Sequence, residues 1–310
     1  MKPEELPVYI LDLLMRYSCS MRICVTGARG MLGQQVVETA LSLGHTVLSW
    51  VRPEVDITQL ESLIERCKSD APEAIVNCAA WTDVDGAETN VSAAYLTNHI
   101  GAANVATIAA SQGIKLVHIS TDFVYPGDIH RPLIESDTTG PKSVYGQSKL
   151  DGETAVLQNC PDAVVIRTGY IFGHHGPNLI DKISTGIKSG YNMPFVTDQW
   201  ITPTGTPLLA DASLRFCQAN ASGIYHVTQA GGCSTYEMAM YIAQLTSGTG
   251  SITSTTLDAW EPIQSARCEA VGRQLAKRPV YSVLNTDKYS NFANIEPISW
   301  EAAIRSHLLG

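Results

Sequence analysis

Short apolar runs alternate with stretches of helical periodicity in the first half of the chain. Strands are predicted at 22–26, 45–51, 72–80 and 115–119, and helices at 34–43, 60–68, 102–112 and 148–158. Regular alternation of strand and helix is typical of a doubly wound parallel sheet, which binds ligands at the carboxyl ends of its strands. The pattern therefore predicts an α/β fold.

From about residue 170 onward the alternation loosens, and Gly, Pro and Thr become frequent. We expect a smaller C-terminal substrate-binding region there, although ordinary loops would have the same composition. The run at 224–228 predicts a strand that returns to the main sheet. We therefore assign 21–170, together with 200–228, to the main domain, and 171–199 and 229–310 to the smaller region.

The first twenty residues precede this pattern and are weakly amphipathic. Glu4 and Glu5 stand where a secretory signal carries positive charge, and Asp12 interrupts the short apolar stretch. We interpret 1–20 as a dispensable N-terminal extension or the product of an upstream start codon, with a short docking helix as the alternative.

Composition limits the classes of function. The chain has 310 residues, of which 45% are hydrophobic and 16% charged, as in one or two compact domains. A net charge of -9 leaves no basic stripe for nucleic acid, and no apolar run is long enough to span a membrane. The eight cysteines form no CxxC pair and have no metal-site spacing. We expect a cytoplasmic protein with neither nucleic-acid nor membrane partners.

A glycine-rich turn joins the first predicted strand to the first helix. Gly27 permits the tight turn, Gly30 lets the backbone approach a pyrophosphate, and Gly33 allows the helix to pack closely on the strand. The helix N-terminus offers free N–H groups to the anion. The turn predicts a Rossmann-like domain with a dinucleotide cofactor, held by Gly27, Arg29, Gly30, Met31, Leu32 and Gly33.

The second predicted strand ends without the carboxylate that usually binds the cofactor ribose. Arg52 stands at that end, and Arg29 lies in the glycine turn. Because these arginines could pair with a 2′-phosphate, NADPH should be accepted at least as well as NADH. The alternative is that both arginines are simply solvated.

Other residues are expected beside the cofactor. Asp56 and Ile57 resemble the adenine-contacting turn of extended reductases, or Asp56 caps the next helix. The third strand ends in small side chains, under which a flat cofactor could lie, and a later helix contains a candidate amide. These residues are Cys78, Ala79, Ala80 and Asn98.

Tyr145 and Lys149 form a YxxxK pair where a predicted helix begins. Residues four apart share a helix face, and a nearby cation lowers the pKa of a phenol. Thr121, at the end of the fourth strand, could donate a hydrogen bond to a substrate carbonyl. The joint occurrence of the glycine turn, the hydroxyl and the pair predicts a reductase.

From Met21 to its C-terminus, the chain resembles the dTDP-4-dehydrorhamnose reductase family of extended short-chain reductases. The resemblance rests on GARGMLGQ (27–34), DIT (56–58), NCAAWTDVDGAE (77–88), STDFVYPG (120–127), VYGQSK (144–149), IRTGYIFG (166–173), TDQWITPTG (197–205), GIYHVT (223–228) and RPVYSVLNTDK (278–288). It implies NAD(P)H-dependent reduction, at C4, of a nucleotide-linked 4-keto-6-deoxy sugar. The first expectation is dTDP-4-dehydro-L-rhamnose, in the biosynthesis of dTDP-rhamnose and cell-surface polysaccharide.

The resemblance also implies a role for each catalytic residue. Tyr145 donates the proton, Lys149 tunes it and orients the nicotinamide ribose, and Thr121 polarises the ketone. Asp122 contacts the sugar, or is a turn carboxylate. Phe123 stands where related 4,6-dehydratases carry a second acid, which favours reduction without elimination. Substrate contacts are expected from Val84, Thr121, Asp122, Phe123, Tyr170, Gln199 and Arg278, the last two at the nucleotide diphosphate, unless Arg278 belongs to a packing turn.

The sequence departs from the family at two places. Tyr170 stands where members often present Trp to the sugar, so the sugar preference is open. Gln35 and Pro207 occupy the positions of glutamates that bridge some dimers through magnesium. We therefore expect no metal, and a homodimer, if one forms, without a metal bridge.

Two other functions stay open. One is a non-catalytic regulatory subunit resembling the methionine adenosyltransferase β-subunit, which the intact Thr121, Tyr145 and Lys149 make less favoured. The other is a nucleotide-sugar epimerase that retains tightly held NAD.

Overall fold

The structure is a computed structural model that describes residues 20–310. Its strands are β1 (Arg22–Thr26), β2 (Thr46–Trp50), β3 (Ala74–Asn77), β4 (Lys115–Thr121), β5 (Val164–Thr168), β6 (Ile171–Phe172), β7 (Asn192–Val196), β8 (Trp200–Ile201), β9 (Thr204–Gly205), β10 (Gly223–His226), β11 (Cys233–Ser234) and β12 (Ser251–Thr255). Its α-helices are α1 (Met31–Ser42), α2 (Leu60–Asp70), α3 (Val84–Thr89), α4 (Val91–Tyr95), α5 (Ala102–Gln112), α6 (Val144–Asn159), α7 (Leu179–Lys188), α8 (Thr206–Gln218), α9 (Thr235–Leu245), α10 (Leu257–Glu269), α11 (Asp287–Ala293) and α12 (Trp300–Leu309).

The main sheet has six parallel strands in the order β10-β5-β4-β3-β1-β2. Successive strand residues face opposite sides, so apolar strands buried on both sides support two cores. One core holds side chains of α1, α8 and α11, and the other holds side chains of α2, α5 and α6. The predicted α/β fold is confirmed, and the chain returns to the sheet at β10, as the run at 224–228 predicts.

A third apolar cluster lies in the C-terminal part of the chain. Buried side chains of α7, α9 and α12 form it, and three two-stranded sheets, β7 with β12, β8 with β11 and β6 with β9, accompany it. None of the residues of α10 is buried. Tyr289 and Ala293 of α11 pack instead into the core of the main sheet, although we expected 287–293 to belong to the smaller region.

Several element boundaries differ from those predicted. Helix α6 begins at Val144 rather than at 148, because the Ser143 hydroxyl accepts a hydrogen bond from the Gly146 amide and so caps it. Helix α1 begins three residues early, at Met31. Asn98 was expected within a helix body and lies in a π-helical turn, Leu96–Gly101. Strand β4 extends two residues beyond 119, to Thr121.

The proposed extension at 1–20 lies outside the described residues except for Ser20, whose hydroxyl donates to the Gly44 carbonyl over 2.8 Å. Within the described part of the chain, every helix is too short or too polar to cross a membrane.

Gly152 allows α6 to cross the π-helical turn closely. A Cβ atom there would lie 2.1 Å from the Asn98 carbonyl oxygen. Alanine normally stabilises a helix relative to glycine, but this backbone contact cannot yield easily. We expect Gly152→Ala to lower the free energy of unfolding by roughly 1–3 kcal/mol, measured by urea denaturation. Thr154→Ala, at an exposed position of the same helix, should be neutral or stabilising. Equal stability of the two variants would contradict the proposed contact.

Candidate active site

A cavity of about 790 Å³ lies at the carboxyl ends of β1, β3, β4 and β5. Its volume lies within the usual range for small-ligand sites. The structure brings to its wall all but two of the predicted residues: Gly27, Arg29, Gly30, Met31, Leu32, Gly33, Arg52, Asp56, Ile57, Cys78, Ala79, Ala80, Val84, Thr121, Asp122, Phe123, Tyr145, Lys149, Tyr170 and Arg278. Asn98 and Gln199 are the two that do not line it.

The glycine turn forms one end of the cavity. Gly27 has a φ of +63°, which favours glycine, and its carbonyl accepts from the Gly30 amide over 2.9 Å. A Cβ atom at Gly33 would lie 2.3 Å from the same carbonyl oxygen. No side chain caps α1, and its first turn carries no acid. Its N-terminal amides and positive dipole end therefore suit a diphosphate.

Arg29 and Arg52 lie side by side on the cavity wall, where the Arg29 guanidinium donates to the Arg52 carbonyl over 3.3 Å. The Asp56 carboxylate accepts from the Thr58 amide, whereas Gln59 occupies the N-cap position of α2. The alternative in which Asp56 caps that helix is therefore wrong. Two cations beside an acid-free strand end suit a phosphate group.

Tyr145 and Lys149 face the cavity from the first two turns of α6, and Thr121 faces it from the end of β4. The Thr121 hydroxyl interacts with the Tyr145 hydroxyl and favours its phenolate form. The Lys149 ammonium donates to the Ile119 carbonyl over 2.6 Å. The rings of Phe123 and Tyr145 pack edge to face, with their centroids 5.7 Å apart. The phenol, the hydroxyl and the ammonium thus converge on one place.

Burial dominates the electrostatics of this pair. It raises the pKa of Tyr145 to about 12, with the Thr121 hydroxyl opposing the shift and the Asp122 charge adding to it. Burial lowers the pKa of Lys149 to about 8, against the charges of Glu153 and Cys78. The expectation of a lowered pKa for Tyr145 is therefore wrong, because desolvation disfavours phenolate. A phenol that stays protonated at neutral pH can donate a proton.

Asp122 is almost completely buried, at 2% exposure. Burial raises the pKa of its carboxyl to about 6, although the nearby Ser282 and Thr121 hydroxyls favour the charged form. The carboxylate accepts from the Thr121 hydroxyl over 3.1 Å. A Cβ atom at Gly169 would lie 2.6 Å from the second carboxylate oxygen, so glycine permits this close approach.

Tyr170 and Arg278 reach the same cavity from the C-terminal half. Tyr170 has a φ of +45°, which is uncommon for a residue with a side chain, and burial raises its pKa to about 12. Arg278 is paired with Asp85 over 2.9 Å. Gln199 is buried and donates to the Pro279 carbonyl, whereas Asn98 bonds with both the amide and the carbonyl of Trp81 and with the Ser148 hydroxyl.

A buried ion pair that the sequence pattern did not reveal lies beneath the site. Arg167 donates to Glu153 over 2.6 Å, and both are at most 3% exposed. Ser120 also donates to Glu153, and Arg167 donates to the Tyr125 hydroxyl over 2.7 Å. Glu153 lies four residues after Lys149, so the helical period that links Tyr145 to Lys149 could have found it. The wall residues Thr82 and Pro177 carried no comparable signal.

Gln35 and Pro207, which stand where some family members carry magnesium-binding glutamates, lie close to each other. Gln35 accepts from the Thr206 hydroxyl over 3.3 Å, and Pro207 follows at the start of α8. Within residues 20–310, no three His, Cys, Asp or Glu side chains are grouped as a metal would need. His174 stacks on His307 with ring centroids 4.3 Å apart.

Comparisons with known proteins identify the family of this chain. The family model described as RmlD substrate binding domain matches residues 21–309. A dTDP-4-dehydrorhamnose reductase from Streptomyces griseus is 33% identical over 290 residues, covering 91% of each chain. The chain belongs to the dTDP-4-dehydrorhamnose reductase family. It is accordingly an oxidoreductase.

Two further similarities extend the comparison with this family. A dTDP-4-keto-6-deoxy-D-glucose reductase from Streptomyces niveus is 37% identical over 286 residues, which is 91% of this chain and 95% of that relative. A crystal structure of dTDP-4-dehydrorhamnose reductase from Bacillus anthracis, in complex with NADP, has a TM-score of 0.85 at 28% identity. It covers 94% of this chain and 99% of that one.

The buried Asp122 carboxyl should make stability depend on pH. Its folded-state pKa is raised, so the folded protein holds this proton more tightly than the unfolded chain does. The contribution to stability is therefore full below pH 4 and is lost as pH rises to about 6. We expect Asp122→Asn to be more stable than wild type at pH 7.5 by about 2 kcal/mol, and equally stable near pH 4, in thermal unfolding.

Asp137→Asn is the matched control. The hydrogen bond from Arg131 lowers the pKa of this carboxyl, which is the opposite shift. Asp137→Asn should therefore not increase stability at pH 7.5. An equal increase in stability in both variants would contradict the raised pKa assigned to Asp122.

Proposed function

We propose that the protein reduces the C4 ketone of dTDP-4-dehydro-L-rhamnose with NADPH, and accepts NADH less well. The observation that carries the proposal is one continuous cavity, which has the glycine turn at one end and Thr121, Tyr145 and Lys149 beside it. Reduction of a ketone requires a hydride donor, a proton donor and a group that polarises the carbonyl. The cavity offers a place for the first and side chains for the other two.

The first end of the cavity fits the dinucleotide. The uncapped N-terminus of α1 accepts the diphosphate, and Arg29 and Arg52 pair with a 2′-phosphate. Asp56 and Ile57 lie along the adenosine, and the small side chains Cys78, Ala79 and Ala80 leave a flat surface for the rings. When bound, the cofactor supplies the hydride that adds to C4.

Tyr145, Thr121 and Lys149 complete the reduction. Tyr145 gives its proton to the C4 oxygen as that oxygen gains charge, and Thr121 donates a hydrogen bond to the same oxygen. The Lys149 ammonium orients the nicotinamide ribose and stabilises the phenolate that remains. Thr121 must turn its proton from Asp122 toward the ketone to do so, since the two acceptors compete for it.

The other end of the cavity fits the nucleotide sugar. Asp122, Phe123 and Val84 lie around the sugar, and the ring of Tyr170 offers a stacking surface. Arg278 binds the diphosphate through its remaining guanidinium donors. Most of these substrate contacts therefore come from the main domain, 21–170 with 200–228, which also supplies the cofactor contacts, and the smaller region, 171–199 with 229–310, adds Arg278. Gln199 and Asn98 contribute indirectly, by holding Pro279 and Trp81.

The names of the relatives differ in the sugar, so the product must be identified. One is named for a 4-keto-6-deoxy-D-glucose and another for 4-dehydrorhamnose. We favour dTDP-4-dehydro-L-rhamnose as the substrate. We expect its turnover to exceed that of dTDP-4-keto-6-deoxy-D-glucose. NMR of the product decides between them and gives its C4 configuration. We further propose a cytoplasmic enzyme, with any homodimer formed without metal.

Tyr145→Phe should bind NADPH with unchanged affinity but lose at least about a hundredfold in kcat, because the proton donor is removed. Fluorescence titration measures binding, and NADPH absorbance measures turnover. Tyr191→Phe, at a tyrosine 64% exposed, should keep full activity. A Tyr145→Phe variant with most of its activity would refute the assigned role.

Arg52→Ala should raise the KM for NADPH about tenfold, because the variant loses a charge-assisted contact to the 2′-phosphate, and change the KM for NADH less than about twofold. Steady-state kinetics with each cofactor measure this. Arg66→Ala, which removes an exposed ion pair on α2, should leave both values unchanged. Equal increases in KM for NADPH and NADH would show that Arg52 does not bind the 2′-phosphate.

A further inference from the structure

The stretch that precedes Arg278 has little anchoring of its own, whereas Pro279, directly after it, is buried and its carbonyl accepts from Gln199. The preceding helix, α10, has no buried residue, and 271–274 are exposed. Ala276 is nevertheless buried, and Arg278 is only 20% exposed at its side chain. Contacts outside α10 must therefore hold this stretch against the cavity.

Asp85 supplies those contacts from the other half of the molecule. Its first carboxylate oxygen accepts from the Ala276 amide over 3.0 Å, and its second accepts from the Arg278 guanidinium over 2.9 Å. Arg278 donates in addition to the Ala276 carbonyl over 3.0 Å. Although partial burial opposes it, hydrogen bonds from Arg278 and Ala276 hold the pKa of Asp85 below its ordinary value. The carboxylate is therefore ionised and fixes both the backbone and the side chain.

The two partners differ in their relation to the cavity. Arg278 is part of its wall, whereas Asp85 is not, although its neighbour Val84 is. Two of the five N–H donors of the guanidinium are used, by Asp85 and by Ala276. The remaining donors are available to a ligand in the cavity. The Asp85 carboxylate thus holds the Arg278 guanidinium without itself lining the cavity, and leaves the space in the cavity to the ligand.

We propose that Asp85 is a positioning residue for the nucleotide-sugar diphosphate, which holds Arg278 of the C-terminal half at the cavity wall. This rests on the proposed function, because it takes Arg278 as the diphosphate contact. Ordering a long side chain before binding removes the entropy loss that binding would otherwise incur. A second pair, Asp83 with Arg273 over 3.0 Å, joins the same two segments but is about half exposed and does not contact Arg278.

Asp85→Asn tests the proposal, since asparagine can still accept from the Ala276 amide but loses the charge that fixes Arg278. We expect the KM for dTDP-4-dehydro-L-rhamnose to rise about tenfold, with kcat and the KM for NADPH within about twofold of wild type. The dissociation constant of dTDP, measured by calorimetry with NADP⁺ saturating, should rise by the same factor. Asp83→Asn is the matched control and should change each value less than about twofold.

A double-mutant cycle separates this role from a merely structural one. If Asp85 acts through Arg278, Asp85→Asn should have no further effect on KM or on dTDP binding in an Arg278→Gln background. An unchanged KM in the single variant, or an equal increase in both backgrounds, would overturn the proposal. Failure of the wild type to reduce any dTDP-4-keto sugar would instead refute the proposed function. Normal wild-type turnover with an unaltered Asp85→Asn variant refutes only the role of Asp85.

Discussion

The buried ion pair between Glu153 and Arg167 is the interaction on which the geometry of the site depends. It joins α6, which carries Tyr145 and Lys149, to β5, and the Ser120 hydroxyl adds β4 to the same carboxylate. Removing two charges from water is unfavourable unless their hydrogen bonds are nearly complete, and here they are shared among three elements. A charge pair of this kind tolerates little displacement. Helix α6 and strand β4, which bears Thr121, therefore keep a fixed position relative to each other.

Local pattern was sufficient to predict the order of the main strands and helices in the first half of the chain, the glycine turn and most of the cavity wall. These features depend on residue spacing within one element, or on strand ends that a parallel sheet brings together. The pKa of Tyr145 could not be predicted in this way, because burial is the largest influence on it and depends on elements distant in sequence. The same limit applies to Arg278, whose partner Asp85 lies 193 positions earlier in the chain.

Charge is distributed so that an acidic protein can bind two anionic ligands. The net charge of -9 repels both anionic ligands, the cofactor and the nucleotide sugar, while they are still at a distance. Arg29, Arg52 and Arg278 nevertheless line the cavity, and the N-terminus of α1 adds partial positive charge from the backbone. Short-range contacts of this kind are screened little by salt, so binding depends on local groups and not on the field of the whole molecule.

The left-handed backbone at Tyr170 has a consequence for how sugar preference can change over evolution. A φ of +45° is unfavourable for any residue with a Cβ atom. The Tyr170 carbonyl accepts from the Thr204 amide over 3.1 Å, a backbone contact that does not involve the ring. If Tyr170 stacks on the sugar as proposed, exchanging its ring for another aromatic ring would alter the surface offered to the sugar and leave this backbone contact in place. Sugar preference could then change over evolution without a change in the loop conformation.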